Sequence, residues 1–311
     1  MPYVPVTPID GAALLGSAER RWEGVVARRP DLKPAVDLQR NLISIVVRLT
    51  GAVQRQGLPR LSLPPKYLAA KLARGVPALA SEPIPLPVAA LTPPLLDLCA
   101  ELGRGGAGDA AGHIHSAIES GAIDPGSLLA ASLARDQNAI RQGALQRGLA
   151  PDLVWLVAEL AVSPLAHLLE QSLLASPSDA VTRAGDEWGH GYCPACGSWP
   201  ALAEVVGSRR ILRCSFCAAG WELPSYACIY CGEDGEAFVT AAPDEERKDR
   251  RLEVCSACGG YLKTVDTAEL SPFPLLAIAD LETMDLDVAA MEKGYARPPL
   301  KSFAQTRTTH P

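Results

Sequence analysis

The chain has 311 residues and a mass of 32.8 kDa, more than one apolar core comfortably supports, so at least two domains are expected. Its 29 Lys and Arg against 35 Asp and Glu give a net charge of −6, which removes any chain-wide pull toward phosphate backbones or anionic lipid. Apolar residues make up 48% but aromatics only 5%, a balance that suits packed helices better than a β-sandwich.

The opening MPYVPVTPID lacks the basic start and apolar run of a secretory signal, so a cytoplasmic location is expected, where thiols stay reduced. From there to residue 180, apolar residues recur at helical spacing over 8–27, 35–56, 65–73, 107–120, 126–147 and 152–174, which predicts an all-α domain of roughly six helices. Thr7 before Pro8 and Asp124 before Pro125 are expected caps, and Gly57, Gly75, Gly121 and Gly148 are expected just past helix ends. The Pro-dense stretch 57–94 is expected to run as extended surface connections around one short helix. Two apolar windows, 83–98 and 153–174, are broken by prolines or carry Glu159, His167 and Glu170, so neither reads as a membrane span. The polar stretch 176–189 marks a change of texture. The expected division is therefore a helical domain over 1–180, two tandem four-cysteine units over 188–270, and a C-terminal helix and tail over 271–311 packing on the rest.

Eight of the nine cysteines form four Cys-x-x-Cys pairs: Cys193 and Cys196, Cys214 and Cys217, Cys228 and Cys231, Cys255 and Cys258. Such a turn aims two sulfurs at one point, and Gly197, Gly232 and Gly259 follow three of the pairs, where a tight approach favours glycine. Seventeen residues separate the first two pairs, 10 the middle two and 23 the last two. Those lengths favour sequential pairing, with Cys193, Cys196, Cys214 and Cys217 as one tetrahedral site and Cys228, Cys231, Cys255 and Cys258 as the second; interleaved pairing is the alternative. The intervening stretches alternate as strand, turn and strand, so each half reads as a small β-unit too slight to fold without its ion. Thiolate cages accept zinc or iron alike, and the ligands alone do not choose.

Two divalent four-thiolate cages would each add a formal −2 to a stretch, 187–270, that already holds 13 acidic against eight basic side chains, which disfavours a nucleic-acid ribbon. His113 and His115 do not share a helix face and read as solvent-facing or structural, Cys99 as a buried small hydrophobe, and His190 as packing beside the first site. Trp199 and Trp221 either cap the metal-stapled cores or, if exposed, anchor a partner. The charged run EERKDRR at 245–251 reads as a solvated loop tip. No nucleotide loop, Walker motif, His-Glu-x-x-His helix or Ser-His-Asp order is present, and closed four-thiolate sites leave no open coordination position, so no catalytic residue is assigned and an enzyme is not expected.

The run YCPACGSWP, RRILRCSFCAAGWELPSYACIYCG, CSACGGYLK and ADLETMDLDVAAMEKGYARP resembles the formate dehydrogenase accessory protein family FdhE over 190–303. The chain departs from that pattern at Ala218, where a glycine is expected, and at Ala279, where an acidic residue is expected. The resemblance implies a rubredoxin-like or zinc-ribbon-like tandem module with iron as the implied metal. It also implies a maturation, chaperone-like role in assembling respiratory formate dehydrogenase, with the catalytic subunit as partner. A rubredoxin-like electron-transfer role in that maturation is the alternative. The oligomeric state is left open.

Overall fold

The computed structural model describes residues 3–6, 11–59, 61, 63–175, 177–242, 247–301 and 303; the expected cap at Thr7 and Pro8 and the Glu245–Glu246 part of the charged loop lie outside them. The first element is a strand, β1 (Tyr3–Val4), followed by helices α1 (Gly11–Arg28), α2 (Lys33–Gln56), α3 (Pro65–Ala73), α4 (Val88–Leu102), α5 (Gly108–Glu119), α6 (Pro125–Leu133), α7 (Gln137–Gln146), α8 (Pro151–Leu174) and α9 (Asp179–Asp186). Strands β2 (Pro200–Val206), β3 (Arg209–Cys214), β4 (Gly220–Trp221), β5 (Phe238–Ala241), β6 (Arg250–Cys255) and β7 (Gly260–Asp266) come next, then α10 (Leu276–Glu282) and α11 (Met284–Glu292).

Helix α8 is the hub: α2, α4, α6 and α7 all pack on it, and nearly every residue from Ala161 to Glu170 is buried. It is also the described helix long and apolar enough to cross a membrane, yet 72% of that apolar window is buried inside the fold, where α2, α4, α6 and α7 cover it. The expected cap at Asp124 forms, its carboxylate accepting from the Ser127 amide at 2.7 Å, and Asp136 does the same for Ala139 at 3.0 Å.

Four differences from the sequence expectation have physical causes. The Pro-dense stretch gives way to α4 with Pro93 and Pro94 inside it, because Leu91, Leu95, Leu98, Cys99 and Leu102 share one buried face whose burial outweighs the two lost backbone bonds. The helix expected over 126–147 is split into α6 and α7 by Arg135, which has φ +59°. The single terminal helix is two, divided at Thr283, whose hydroxyl donates to the Ala279 carbonyl at 2.8 Å. The N-terminal stretch is not all helix: β1 pairs antiparallel with β4, Tyr3 opposite Trp221, where Gly220 leaves room for the Val4 backbone.

One seven-stranded sheet has the order β1-β4-β3-β2-β7-β6-β5. It contains two equivalent antiparallel meanders, β2-β3-β4 and β5-β6-β7, joined by a parallel pairing of β2 with β7 at Ala203–Thr264, Glu204–Val265 and Val205–Asp266. The repeat seen in the cysteine spacing is therefore a repeat of the whole three-stranded unit. The main apolar core runs without a break from the helices to Cys193, Cys196, Cys214, Phe216, Cys217 and Trp221.

Helix α8 reaches that junction with two buried titratable groups. His167 is pushed down to about 4 by burial, so its ring is neutral; the nitrogen facing the Cys217 carbonyl at 2.9 Å, Nδ1, must carry the proton, and the ring stacks on Phe273. Glu170 is pushed up to about 8, chiefly by burial, and its Oε1 has no partner among the described residues. Because the folded state holds this proton more tightly than the unfolded chain, its contribution is fully present below about 4.5 and is lost as pH rises toward 8. Glu170→Gln is expected to flatten a loss of up to about 1.4 kcal/mol per pH unit across that window, read from urea midpoints between pH 5 and 8.

Candidate metal centres

Each cage is built from two turns that flank a hairpin. Cys193 and Cys196 precede β2, and Cys214 and Cys217 close β3; Cys228 and Cys231 precede β5, and Cys255 and Cys258 close β6. All four turns share one backbone design. The amide of the residue after the second cysteine donates to the carbonyl of the first: Gly197 to Cys193, Ala218 to Cys214, Gly232 to Cys228 and Gly259 to Cys255, at 2.9 to 3.2 Å. Those four residues have φ of +83°, +58°, +82° and +69°, the left-handed region that closes the turn.

Alanine at 218 costs roughly 1–2 kcal/mol in that conformation. Its methyl is buried in a small cluster with Ala201, Leu202, Leu276 and Ala279, which returns about 0.8 kcal/mol. Ala218 and Ala279, the two departures from the pattern the sequence resembles, thus belong to one buried cluster.

The sulfurs of Cys193, Cys196, Cys214 and Cys217 lie within 4.8 Å of one another, as do those of Cys228, Cys231, Cys255 and Cys258. The structure thus brings the thiols together in sequential rather than interleaved sets. Individual separations are 3.7 Å for Cys193–Cys217, 3.4 Å for Cys196–Cys214, 3.7 Å for Cys228–Cys258 and 3.6 Å for Cys231–Cys255. A tetrahedron with metal–sulfur bonds near 2.3 Å has edges of about 3.8 Å, whereas a disulfide is about 2.05 Å, so the spacing fits a metal cage. Amides of Ala195, Phe216 and Cys217 point at the first-cage sulfurs at 3.4 Å, a donor set suited to thiolates. Burial, reinforced by neighbouring sulfurs, pushes the Cys193 and Cys217 thiols well up; four ionised thiols packed together there require a cation to offset them.

The two cages differ in exposure. All four first-cage residues are buried, whereas Cys231 and Cys258 of the second are exposed. Trp221 is fully buried and donates to the His190 carbonyl at 3.2 Å, and Trp199, also buried, donates to the Pro299 carbonyl at 2.9 Å. Both tryptophans cap the first unit rather than presenting themselves to a partner. His190 stacks on Tyr192 at 4.9 Å, Cys99 sits in the helical core, and His113 and His115 lie on α5 away from either cage. Gly191 is where the units meet: a Cβ there would stand 1.9 Å from the Ile229 carbonyl oxygen, beside Cys228. Gly191→Ala is expected to destabilise by at least about 3 kcal/mol, the upper end of ordinary overpacking, and an unchanged denaturation midpoint would refute the contact.

The residues after the last pair fasten the C-terminal helices. Lys263 is fully buried, 3.0 Å from the Asp280 carbonyl and 2.7 Å from the Asp287 carboxylate. Tyr261 donates to Asp287 at 2.8 Å, and Arg297 adds a second cation at 2.9 Å. The Tyr-Leu-Lys motif and the acidic helix read from the sequence are therefore two halves of one clamp that holds α10 and α11 on β7.

Fold and cages together define a mixed helical and sheet protein with two zinc-ribbon-like four-cysteine modules. No protein-family model matches the chain. It is 34% identical over 116 residues to "Protein FdhE homolog" of Haemophilus influenzae (strain PittEE), covering 36% of this chain and 38% of that protein. The Aquifex aeolicus homolog is 28% identical over 135 residues, covering 41% and 46%, and that of Rhizobium meliloti 26% over 168 residues, covering 49% and 55%. The matched segment thus spans about half or less of these curated relatives. The fold aligns with the crystal structure of the FdhE protein from Pseudomonas aeruginosa at a TM-score of 0.60 and 23% identity, covering 94% of this chain and 96% of that one. The cysteine-bearing part of the chain is thus similar in sequence to FdhE homologs, and the chain as a whole shares the fold of an FdhE protein.

Proposed function

We infer that this protein is a non-catalytic accessory factor in the maturation of formate dehydrogenase. In this reading it acts in the cytoplasm and binds the catalytic subunit. The observation that carries the reading is the commitment of eight thiols to two closed four-sulfur cages on a single sheet, in a chain similar to FdhE proteins. Closed cages leave no coordination position for a substrate, so the metals serve shape and the surface serves recognition. Cys193, Cys196, Cys214 and Cys217 hold the first ion, and Cys228, Cys231, Cys255 and Cys258 the second, as zinc or iron. Pull-down of the catalytic subunit by metal-replete, reduced protein tests the reading; absence of capture under those conditions removes its main support.

A rubredoxin-like redox role is favoured by one feature, the exposed Cys231 and Cys258, which bring the second cage to the surface where electrons can pass. It requires a reversible one-electron couple in protein purified from its own host without oxygen. Only zinc in such protein rules it out.

A further inference from the structure

Arg135 is held at some cost. It occupies the turn between α6 and α7 at φ +59°, a conformation worth roughly 1–2 kcal/mol against a non-glycine residue. Its side chain is 4% exposed, and the guanidinium lies 4.0 Å over the Phe216 ring and 4.6 Å over that of Trp155. One nitrogen reaches Glu159 at 2.6 Å, while Nε and Nη1 have no acceptor among the described residues. A buried cation with free N–H groups is expensive unless negative charge lies close by.

The negative charge is at hand. Phe216 sits inside the turn between Cys214 and Cys217, and Arg135 lines a cavity of about 450 Å³ together with Cys196. A four-thiolate cage around a divalent ion carries a formal charge of −2, here almost wholly screened from water. We propose that Arg135 is the counter-cation of the first cage, a positioning residue that stabilises its thiolates and thereby retains its metal. The second cage is open to water at Cys231 and Cys258, and solvent serves the same purpose there. The strained turn and the split of one long helix into α6 and α7 become the means of delivering a charge to a site more than 50 residues away in sequence.

This inference rests on the reading that the first cage holds a metal, and the experiment separates the two. Full-length protein is loaded with zinc, its stoichiometry measured, and then exposed to a chelator with iodoacetamide while alkylation of each cysteine is followed by mass spectrometry. Arg135→Gln is expected to speed labelling of the first-cage cysteines about 10- to 100-fold, with second-cage labelling unchanged as the internal control for folding. Arg135→Lys, which keeps the charge, is expected to stay near wild type. Equal first-cage rates in wild type and Arg135→Gln overturn the proposal. Glu159→Gln frees Arg135 from its competing carboxylate and is expected to slow first-cage labelling; should Arg135→Gln fail to fold, an unchanged or faster rate in Glu159→Gln overturns the proposal instead. Wild-type protein with no metal protecting the first cage overturns the metal reading itself.

Discussion

Stripping the metals under reducing conditions is expected to abolish the cooperative thermal transition of the helices as well as the sheet. The first-cage cysteines belong to the same continuous core as Leu165, Ala166 and Trp155 of α8. Metal binding to a structural four-ligand site supplies about 10–16 kcal/mol apparent free energy. That rivals or exceeds the roughly 5–15 kcal/mol by which a folded domain is stable at all, so its loss decides the outcome. Cys193→Ser, at a fully buried position, is expected to reproduce the effect, whereas Cys258→Ser, at an exposed one, is expected to be much milder. Circular dichroism at 222 nm together with metal analysis provides the check. Demetallated protein that keeps its helical signal and its Tm would mean that the cages are not part of the core's stability.

The second large effect is expected at the buried pair on β2 and β3. Arg213 and Glu204 are both shielded from solvent and paired with each other; Arg213 also donates to the carbonyls of Ala218 and Ser271, and Glu204 accepts from the Ser271 amide at 3.0 and 3.1 Å. Removing one partner strands a charge in the interior, so Arg213→Met is expected to cost about 3–5 kcal/mol. Replacing both, as Glu204→Leu with Arg213→Met, removes the stranded charge but leaves the Ser271 and Ala218 backbone groups unpaired at roughly 1–3 kcal/mol each, so recovery is expected to be incomplete. Urea denaturation of the two single variants and the double variant measures both terms. A single variant with an unshifted midpoint would show that water reaches the pair.

The parts of this molecule legible in its sequence are those governed by local chemistry. The four cysteine turns can be read because metal ligation fixes residue type and spacing within four positions, and the Asp124 cap because its bond spans three. Helix α4 is hidden because local proline chemistry argues against it, and only the shared burial of Leu91, Leu95 and Leu98 tips the balance toward a helix. Arg135 is invisible for a related reason. An arginine in a polar-looking helix stretch gives no sign that its charge faces a cage formed by residues 193 to 217. The run ADLETMDLDVAAMEKGYARP stands out in the sequence as part of the resemblance, but its role as a clamp depends on Lys263, Tyr261 and Arg297 meeting Asp280 and Asp287 in space. The departures at 218 and 279 look unrelated in sequence, yet both residues are buried in the same small cluster.

The pairing of Tyr3 with Trp221 also governs the order of events when the chain folds. Helix contacts such as those between α6, α7 and α8 link near neighbours and can form in microseconds to milliseconds, but β1 must wait until a partner more than 200 residues downstream has been placed by the Cys214–Cys217 turn. Closure of the sheet edge is therefore expected to follow arrival of an ion at the first cage. In stopped-flow refolding, far-ultraviolet helix signal should precede a slower phase whose rate rises with free metal concentration.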